Sequence, residues 1–242
     1  MTSAIIAELS ARLRQIERKR DRPVGDISAS PSPAAGLHQL LPDARSLRGG
    51  LVEWLSDQNG AGSLSVAVLA SQPAVGDGLW VFVDRHHHWH AAGLAALSLD
   101  LRRVVLVRPR QQADVLWVTE QALRTRGIGA VVCEFDRLPT AAFRRLQLAA
   151  ETGGTLGILL RPERVRHQSS WAEYRLLVSP LATSGLGNPL LPRRRVHVEL
   201  LWSRKKFAAT KSVIVELDDA DNRVYLASEL ASATTAFRAA GA

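Results

Sequence analysis

The chain has 242 residues, of which 46% are hydrophobic, so it can bury the core of one large domain or two small ones. Lysine and arginine outnumber aspartate and glutamate by 31 to 23, and the net charge of +8 favours polyanions or acidic proteins as partners. The single cysteine, Cys133, excludes an intramolecular disulfide framework and a multi-cysteine zinc site. No apolar run approaches the ~20 residues of a membrane span and residues 1–20 lack a signal-peptide core, so we expect a cytoplasmic protein.

Residues 1–20 have the periodicity of an amphipathic helix. Ile5, Leu9, Leu13 and Ile16 recur on one face, which we call the apolar stripe, and arginines lie opposite. Residues 21–36 are rich in Pro, Ser, Ala and Gly, which is typical of a flexible linker. Two interpretations stay open: the helix packs on its own domain, or it docks on a neighbouring chain, including a second copy.

Between residues 37 and 227, apolar strand patterns alternate at first with helical ones. Strands are predicted over 50–55, 79–83, 104–107, 130–135 and 155–160, and helices over 63–71, 91–97, 113–126 and 140–151. Continuous apolar strands that alternate with helices indicate a parallel sheet covered on both faces.

From residue 171 the pattern changes to alternating apolar and polar residues. Segments 174–178, 195–202 and 213–217 therefore read as half-exposed antiparallel strands, with a turn over 220–223 and a tail over 228–242. The predicted fold is α/β, with a mixed, mostly parallel sheet, antiparallel strands at its C-terminal edge and a tethered N-terminal helix.

A glycine-containing loop follows the first core strand. A working phosphate loop reads G-x-x-x-x-G-K-[ST], in which backbone amides hold the phosphates, the lysine reaches them and the hydroxyl ligates Mg²⁺. With Gly62 as the second glycine, Asp57 replaces the first glycine, Ser63 the lysine and Leu64 the hydroxyl residue, while Gly60 and Gly62 can keep the turn. We expect no ATP hydrolysis, and weak nucleotide binding at the helix N-terminus stays open.

Acidic residues and histidines cluster near the predicted strand ends. Asp84, Glu134 and Asp136 are interpreted as relics of a nucleotide site or as helix N-caps, and Cys133 as inert core. The segment 86–90 reads HHHWH. His86 with His88, or His88 with His90, could converge on a metal; the alternative is an exposed polar loop.

A basic cluster lies toward the C-terminus, on both sides of the predicted edge strand 195–202. It is interpreted either as a solvated charged edge that prevents sheet aggregation or as a phosphate-contacting patch. Its members are Arg193, Arg194, Arg195, Arg204, Lys205, Lys206 and Lys211.

Four stretches in this order resemble one family. They read GLVEW at 50–54, DVLW at 114–117 with EQALR at 120–124, FRRLQLAAE at 143–151, and GILLRP at 157–162. The combination is similar to the ImuA family, RecA-like proteins of bacterial damage-induced mutagenesis, over about residues 37 to 220. Asp136 stands where the RecA core has its Walker B aspartate.

The resemblance implies a non-catalytic RecA-like adaptor of the SOS response that acts in translesion DNA synthesis. It implies RecA, an ImuB-like protein and an error-prone polymerase as partners, with DNA as a further candidate and no cofactor. It also implies that the N-terminal helix occupies the place of the segment by which RecA-type subunits join. Two alternatives remain: a SulA-like cell-division inhibitor, which is a RecA relative without a phosphate loop, and an ATPase with an aberrant loop.

Overall fold

The computed structural model describes residues 37, 40–41, 44–57, 61–181, 194–204, 211–218 and 223–226. The predicted N-terminal helix, linker and C-terminal tail lie outside these residues. The strands of the described part are β1 (Leu51–Ser56), β2 (Leu79–Val83), β3 (Val104–Val107), β4 (Ile128–Glu134), β5 (Leu156–Pro162), β6 (Tyr174–Leu181), β7 (Arg194–Ser203), β8 (Ser212–Asp218) and β9 (Arg223–Leu226). Its α-helices are α1 (Ser63–Val75), α2 (Ala91–Ala95), α3 (Gln112–Arg124) and α4 (Thr140–Gly153).

The described strands form one mixed sheet in the order β3-β2-β4-β5-β1-β6-β7-β8-β9. All neighbours from β3 to β6 are parallel, whereas β6–β7, β7–β8 and β8–β9 are antiparallel. The parallel strands therefore end together at one side of the sheet, the carboxyl edge. The architecture confirms the predicted α/β fold and is consistent with a RecA-like core.

Helices cover both faces of the parallel strands. Because side chains alternate along a strand, Val52 and Trp54 of β1 join the core under α1, while Leu51 joins the core under α3 and α4. Helix α1 ends where the Arg48 guanidinium donates hydrogen bonds to its last carbonyls, at 2.7 Å from Ala74 O and 3.2 Å from Val75 O. In the part of the chain that the structure describes, no helix is long and apolar enough to cross a bilayer.

Three differences from the predicted elements concern the later strands. Strand β6 was predicted to be antiparallel and half-exposed, but Tyr174 to Val178 are buried and pair in parallel with β1. Strand β7 was predicted to be an edge strand, but β8 pairs with its outer side, so it is internal. Arg223 was placed in a turn, but it begins β9.

Candidate functional site

The loop after β1 leads directly into α1. Asp57 follows the strand and is exposed, Gln58 to Gly60 lie outside the described residues, and Gly62 precedes the helix with φ 86°. The Ser63 hydroxyl lies 3.5 Å from the hydroxyl of Ser56. Leu64, at the position of the metal-ligating hydroxyl, is half-buried against the hydrophobic core. The two positions that would hold lysine and a Mg²⁺ ligand thus contact the protein itself.

Side chains of the antiparallel strands pack on this loop. A Cβ at Gly62 would lie 3.2 Å from Leu217 Cδ1 and 3.5 Å from Val196 Cγ1. Both side chains are at least 98% buried, so the space beside the glycine is filled by apolar groups of β7 and β8. These apolar side chains cannot donate a hydrogen bond to a phosphate.

The three acidic residues at the carboxyl edge each contact a different group of the protein. Asp84 is buried and accepts hydrogen bonds from the amides of His88 and Trp89, at 2.9 and 3.2 Å. Glu134 Oε2 lies 3.0 Å from His88 Nδ1. Asp136 lies two residues beyond β4, largely exposed, and pairs with Arg164. The interpretation as helix N-caps is wrong, because His90 and Pro139 occupy the N-cap positions of α2 and α4.

The histidine segment forms the loop from β2 to α2. The rings of His86 and His88 stack with their centroids 5.4 Å apart, and His90 is the N-cap residue of α2. Among the described residues, no three histidine, cysteine or carboxylate side chains gather as a metal would need. His88 and His90 instead line a cavity of about 380 Å³ together with Arg194 of β7.

The structure places the described arginines of the predicted basic cluster at the two opposite ends of β7. Arg194 begins the strand and Arg204 follows its last residue, so about 30 Å of extended chain lies between them. Arg195 Nε lies 3.5 Å from Glu216 Oε1, and Arg204 Nη1 lies 3.1 Å from Glu173 Oε1. Lys211 is exposed, whereas Arg193, Lys205 and Lys206 lie outside the described residues. Since β7 is internal, the interpretation as a protective sheet edge does not hold.

A buried ion triad crosses the centre of the sheet, and the sequence analysis missed it. Glu53 of β1 is fully buried; its carboxylate accepts hydrogen bonds from Arg161 Nη1 of β5 at 2.7 Å and Arg175 Nε of β6 at 2.6 Å. The Ser170 hydroxyl donates a third bond at 2.7 Å. The signal was available, because each strand carries one charged residue within an otherwise apolar run.

Cys133 lies in β4 with no exposed surface, as predicted for inert core. Burial raises the pKa of its thiol to about 12. The thiolate, which is the nucleophilic form, is therefore absent at neutral pH.

The second missed feature is a cavity of about 560 Å³ at the carboxyl ends of β2 and β3, which we call the arginine pocket. The sequence signal was weak, because its residues come from two segments that become neighbours only through the pairing of β2 with β3. It is lined by Arg85, His86, His87, Arg108, Pro109 and Arg110.

Comparison with known proteins gives a match to Protein ImuA from two strains of Caulobacter vibrioides, NA1000/CB15N and CB 15. Each is 34% identical over 137 residues, which covers 50% of this chain and 55% of the relative. Over this half of its length, the chain is similar to Protein ImuA. It spans about half the length of these relatives, and no family model matches it.

The four stretches that carried the resemblance to the ImuA family meet on one face of the sheet. Glu53 in the first binds Arg161 in the last, and the Arg161 guanidinium lies 5.8 Å from the ring centre of Phe143 in α4. Glu120 of α3 is buried and pairs with Arg145 of α4. The stretches thus hold the interface between the sheet and helices α3 and α4.

Proposed function

We propose that the chain is a non-catalytic RecA-like adaptor in DNA-damage-induced translesion DNA synthesis. The observation that carries this proposal is the match to Protein ImuA, and the RecA-like role is what the resemblance of the four stretches to the ImuA family implies. The proposed partners are RecA, an ImuB-like protein and an error-prone polymerase.

The surroundings of the loop after β1 support the non-catalytic part of the proposal. Phosphoryl transfer depends on positioned positive charge, from a lysine and from Mg²⁺ held by a hydroxyl. Here Ser63 and Leu64 supply neither, and the exposed carboxylate of Asp57 would repel phosphate at the loop mouth.

An ATPase assay tests this part. The purified chain, with and without single-stranded DNA, should release no phosphate above a buffer control. Asp136→Asn is the matched variant, because Asp136 is exposed and its removal should leave the fold intact. Turnover by the wild-type chain that disappears in Asp136→Asn would establish an ATPase.

The proposed route to partners is the N-terminal helix. The apolar side chains of its stripe each contribute roughly 1.5–3 kcal/mol when fully buried, less the free energy of ordering the linker. This is sufficient to hold a partner, and the proposed surface is the one by which RecA-type subunits join. The stripe consists of Ile5, Leu9, Leu13 and Ile16.

A pull-down with RecA and with an ImuB-like protein tests this route. The double variant Leu9→Ser and Leu13→Ser should lose capture, while the control Arg14→Ser and Arg18→Ser, on the opposite face of the predicted helix, should keep it. Deletion of residues 1–22 should abolish capture and leave the melting temperature of the core unchanged. Capture that survives the deletion places the contact elsewhere, and an unfolded deletion variant makes the helix part of the core.

A further inference from the structure

Three arginines meet at the arginine pocket because β2 and β3 are parallel neighbours. Val83 at the end of β2 pairs with Val107 at the end of β3, so the loops that follow lie side by side. Arg85 comes from the first loop, and Arg108 and Arg110 from the second. The concentration of positive charge is therefore a product of the sheet pairing.

Arg108 is held in place by neutral and acidic partners. Its Nη2 donates to Trp89 O at 3.2 Å, and its Nε lies 3.7 Å from the buried carboxylate of Asp84. Asp84 also fixes the loop through the amides of His88 and Trp89. The Arg108 side chain nevertheless stays 42% exposed, so part of its guanidinium is available to a ligand.

Arg85 and Arg110 add positive charge, and neither forms an ion pair with a carboxylate in the part of the chain that the structure describes. Arg85 Nε is shielded from solvent and has no hydrogen-bond partner among the described residues, an arrangement that an anion would satisfy. Arg110 is exposed. Helix α3 begins two residues later, at Gln112, and places the positive end of its dipole beside the pocket, which Asp114 in its first turn offsets in part.

We propose that the arginine pocket binds the phosphates of a single-stranded nucleic acid. Guanidinium groups bind phosphate through paired N–H donors, and three of them within one cavity suit a chain of phosphates. Pockets for small molecules are mostly apolar and enclose their ligand, whereas Pro109 is the one apolar residue among the described residues that line this cavity. The rings of His86 and His87 are exposed beside the arginines, and unpaired bases stack on such rings.

The path of the strand continues along the carboxyl edge. On the other side of the 85–90 loop lies the cavity that His88 and His90 share with Arg194. A single strand that leaves the arginine pocket would pass over the histidines toward Arg194. The proposed site thus extends to one end of the predicted basic cluster and does not include Arg204, at the far end of β7.

Fluorescence anisotropy of a labelled 20-nucleotide oligo-dT, titrated with the full chain at several salt concentrations, tests the site. The variant is Arg85→Gln with Arg110→Gln; Arg108 is kept because it anchors the loop. Loss of two phosphate contacts should reduce the slope of log affinity against log salt by about 1.4. The ratio of wild-type to variant affinity should then fall about sevenfold between roughly 50 and 200 mM salt.

The matched control is Arg45→Gln with Arg126→Gln. Both arginines are exposed and lie next to the amino ends of β1 and β4, at the opposite side of the sheet, and the change in net charge is the same. The control should keep the wild-type slope. Equal slopes for both double variants, or no binding of oligo-dT by the wild-type chain, would refute the proposal.

Three further measurements distinguish the other outcomes. If the first double variant fails to fold, Arg110→Gln alone should reduce the slope by about 0.7. A reduced slope confined to Arg204→Gln with Lys211→Gln would assign binding to the far end of β7. Displacement of the oligonucleotide by a polyglutamate peptide as effectively as by pyrophosphate would identify carboxylates as the ligand and overturn the phosphate assignment. None of these outcomes depends on the ATPase or pull-down results.

Discussion

Replacement of Glu53 by glutamine should destabilise the protein far more than a change of one charge at its surface. The carboxylate is fully buried between Arg161 and Arg175, and its oxygens accept bonds from both at 2.6–2.7 Å. Glutamine keeps the shape but turns one acceptor into a donor and leaves two buried guanidinium charges without a counterion. Loss of one partner of a buried ion pair costs about 3–5 kcal/mol. For a chain of this size the melting temperature should fall by about 6–20 °C.

Urea denaturation, followed by the fluorescence of the six tryptophans, measures the effect. Asp136→Asn is the control, because it makes the same chemical change in an exposed pair with one arginine, where the expected cost is about 0–1 kcal/mol. The urea dependence (m value) should stay constant, which assigns the loss to the folded state. If Glu53→Gln were no less stable than Asp136→Asn, the triad would not be the buried ionic cluster described above.

A compensating variant separates the contribution of the balanced charges from that of the hydrogen bonds that the two arginines donate. Simultaneous change of Glu53→Leu, Arg161→Met and Arg175→Met removes every charge and keeps the volume, so it should recover most of the lost stability. Failure to recover while Glu53→Gln is strongly destabilised would mean that the hydrogen bonds to the segment 166–170, rather than the charge balance, dominate. Those bonds run from Arg175 Nη1 to the carbonyls of Arg166 and Gln168, at 2.8 and 2.7 Å.

Two smaller effects follow from burial and backbone conformation. Burial raises the pKa of Cys133 from an ordinary value of 9.0 to about 12, so the buried thiol's contribution to the free energy of unfolding is complete below pH 9 and is lost as the pH rises toward 12. Between pH 9 and 12 the stability of the wild-type chain should therefore fall more than that of Cys133→Ala. Ellman's reagent should react with the thiol at pH 8 only after unfolding. An alanine at Gly62 would combine a left-handed backbone with crowding by Leu217, whereas an alanine at Gly154, with φ 65° and no atom within 4 Å, would have only the backbone strain of about 1–2 kcal/mol. A thermal melt should therefore find Gly62→Ala less stable than Gly154→Ala. The reverse order would show that the Leu217 side chain moves aside freely.

The sequence predicted the parallel half of the sheet well, for a physical reason. Strands such as Leu79–Val83 and Leu156–Pro162 are buried on both faces over nearly their whole length, so their apolar runs mark their own limits. The segment that begins at Tyr174 carries Arg175, and a charged residue in a strand usually indicates an exposed face. Here the guanidinium is neutralised inside the protein by Glu53, which lies far away along the chain.

The candidate sites depended more strongly on long-range pairing. The replacement of the phosphate-loop lysine and hydroxyl could be seen at Ser63 and Leu64 without any structure, because that motif is local. The packing of Leu217 on Gly62, and the meeting of Arg85 with Arg108, arise from pairings between distant segments. Periodicity within one segment contains no information about such partners.

The central position of β1 also determines when the sheet can be completed during folding. Glu53 is separated by 108 residues from Arg161 and by 122 from Arg175. Strand β1 therefore cannot pair with β5 or β6 until nearly all of the parallel half of the sheet is available. Closing loops of that length is entropically unfavourable, and domains dominated by such non-local pairs fold slowly. On the ribosome, β1 emerges first among the described strands and remains unpaired until β5 and β6 have been synthesised. During that time its apolar residues lack their native neighbours, which is the condition under which a growing chain depends most on chaperones.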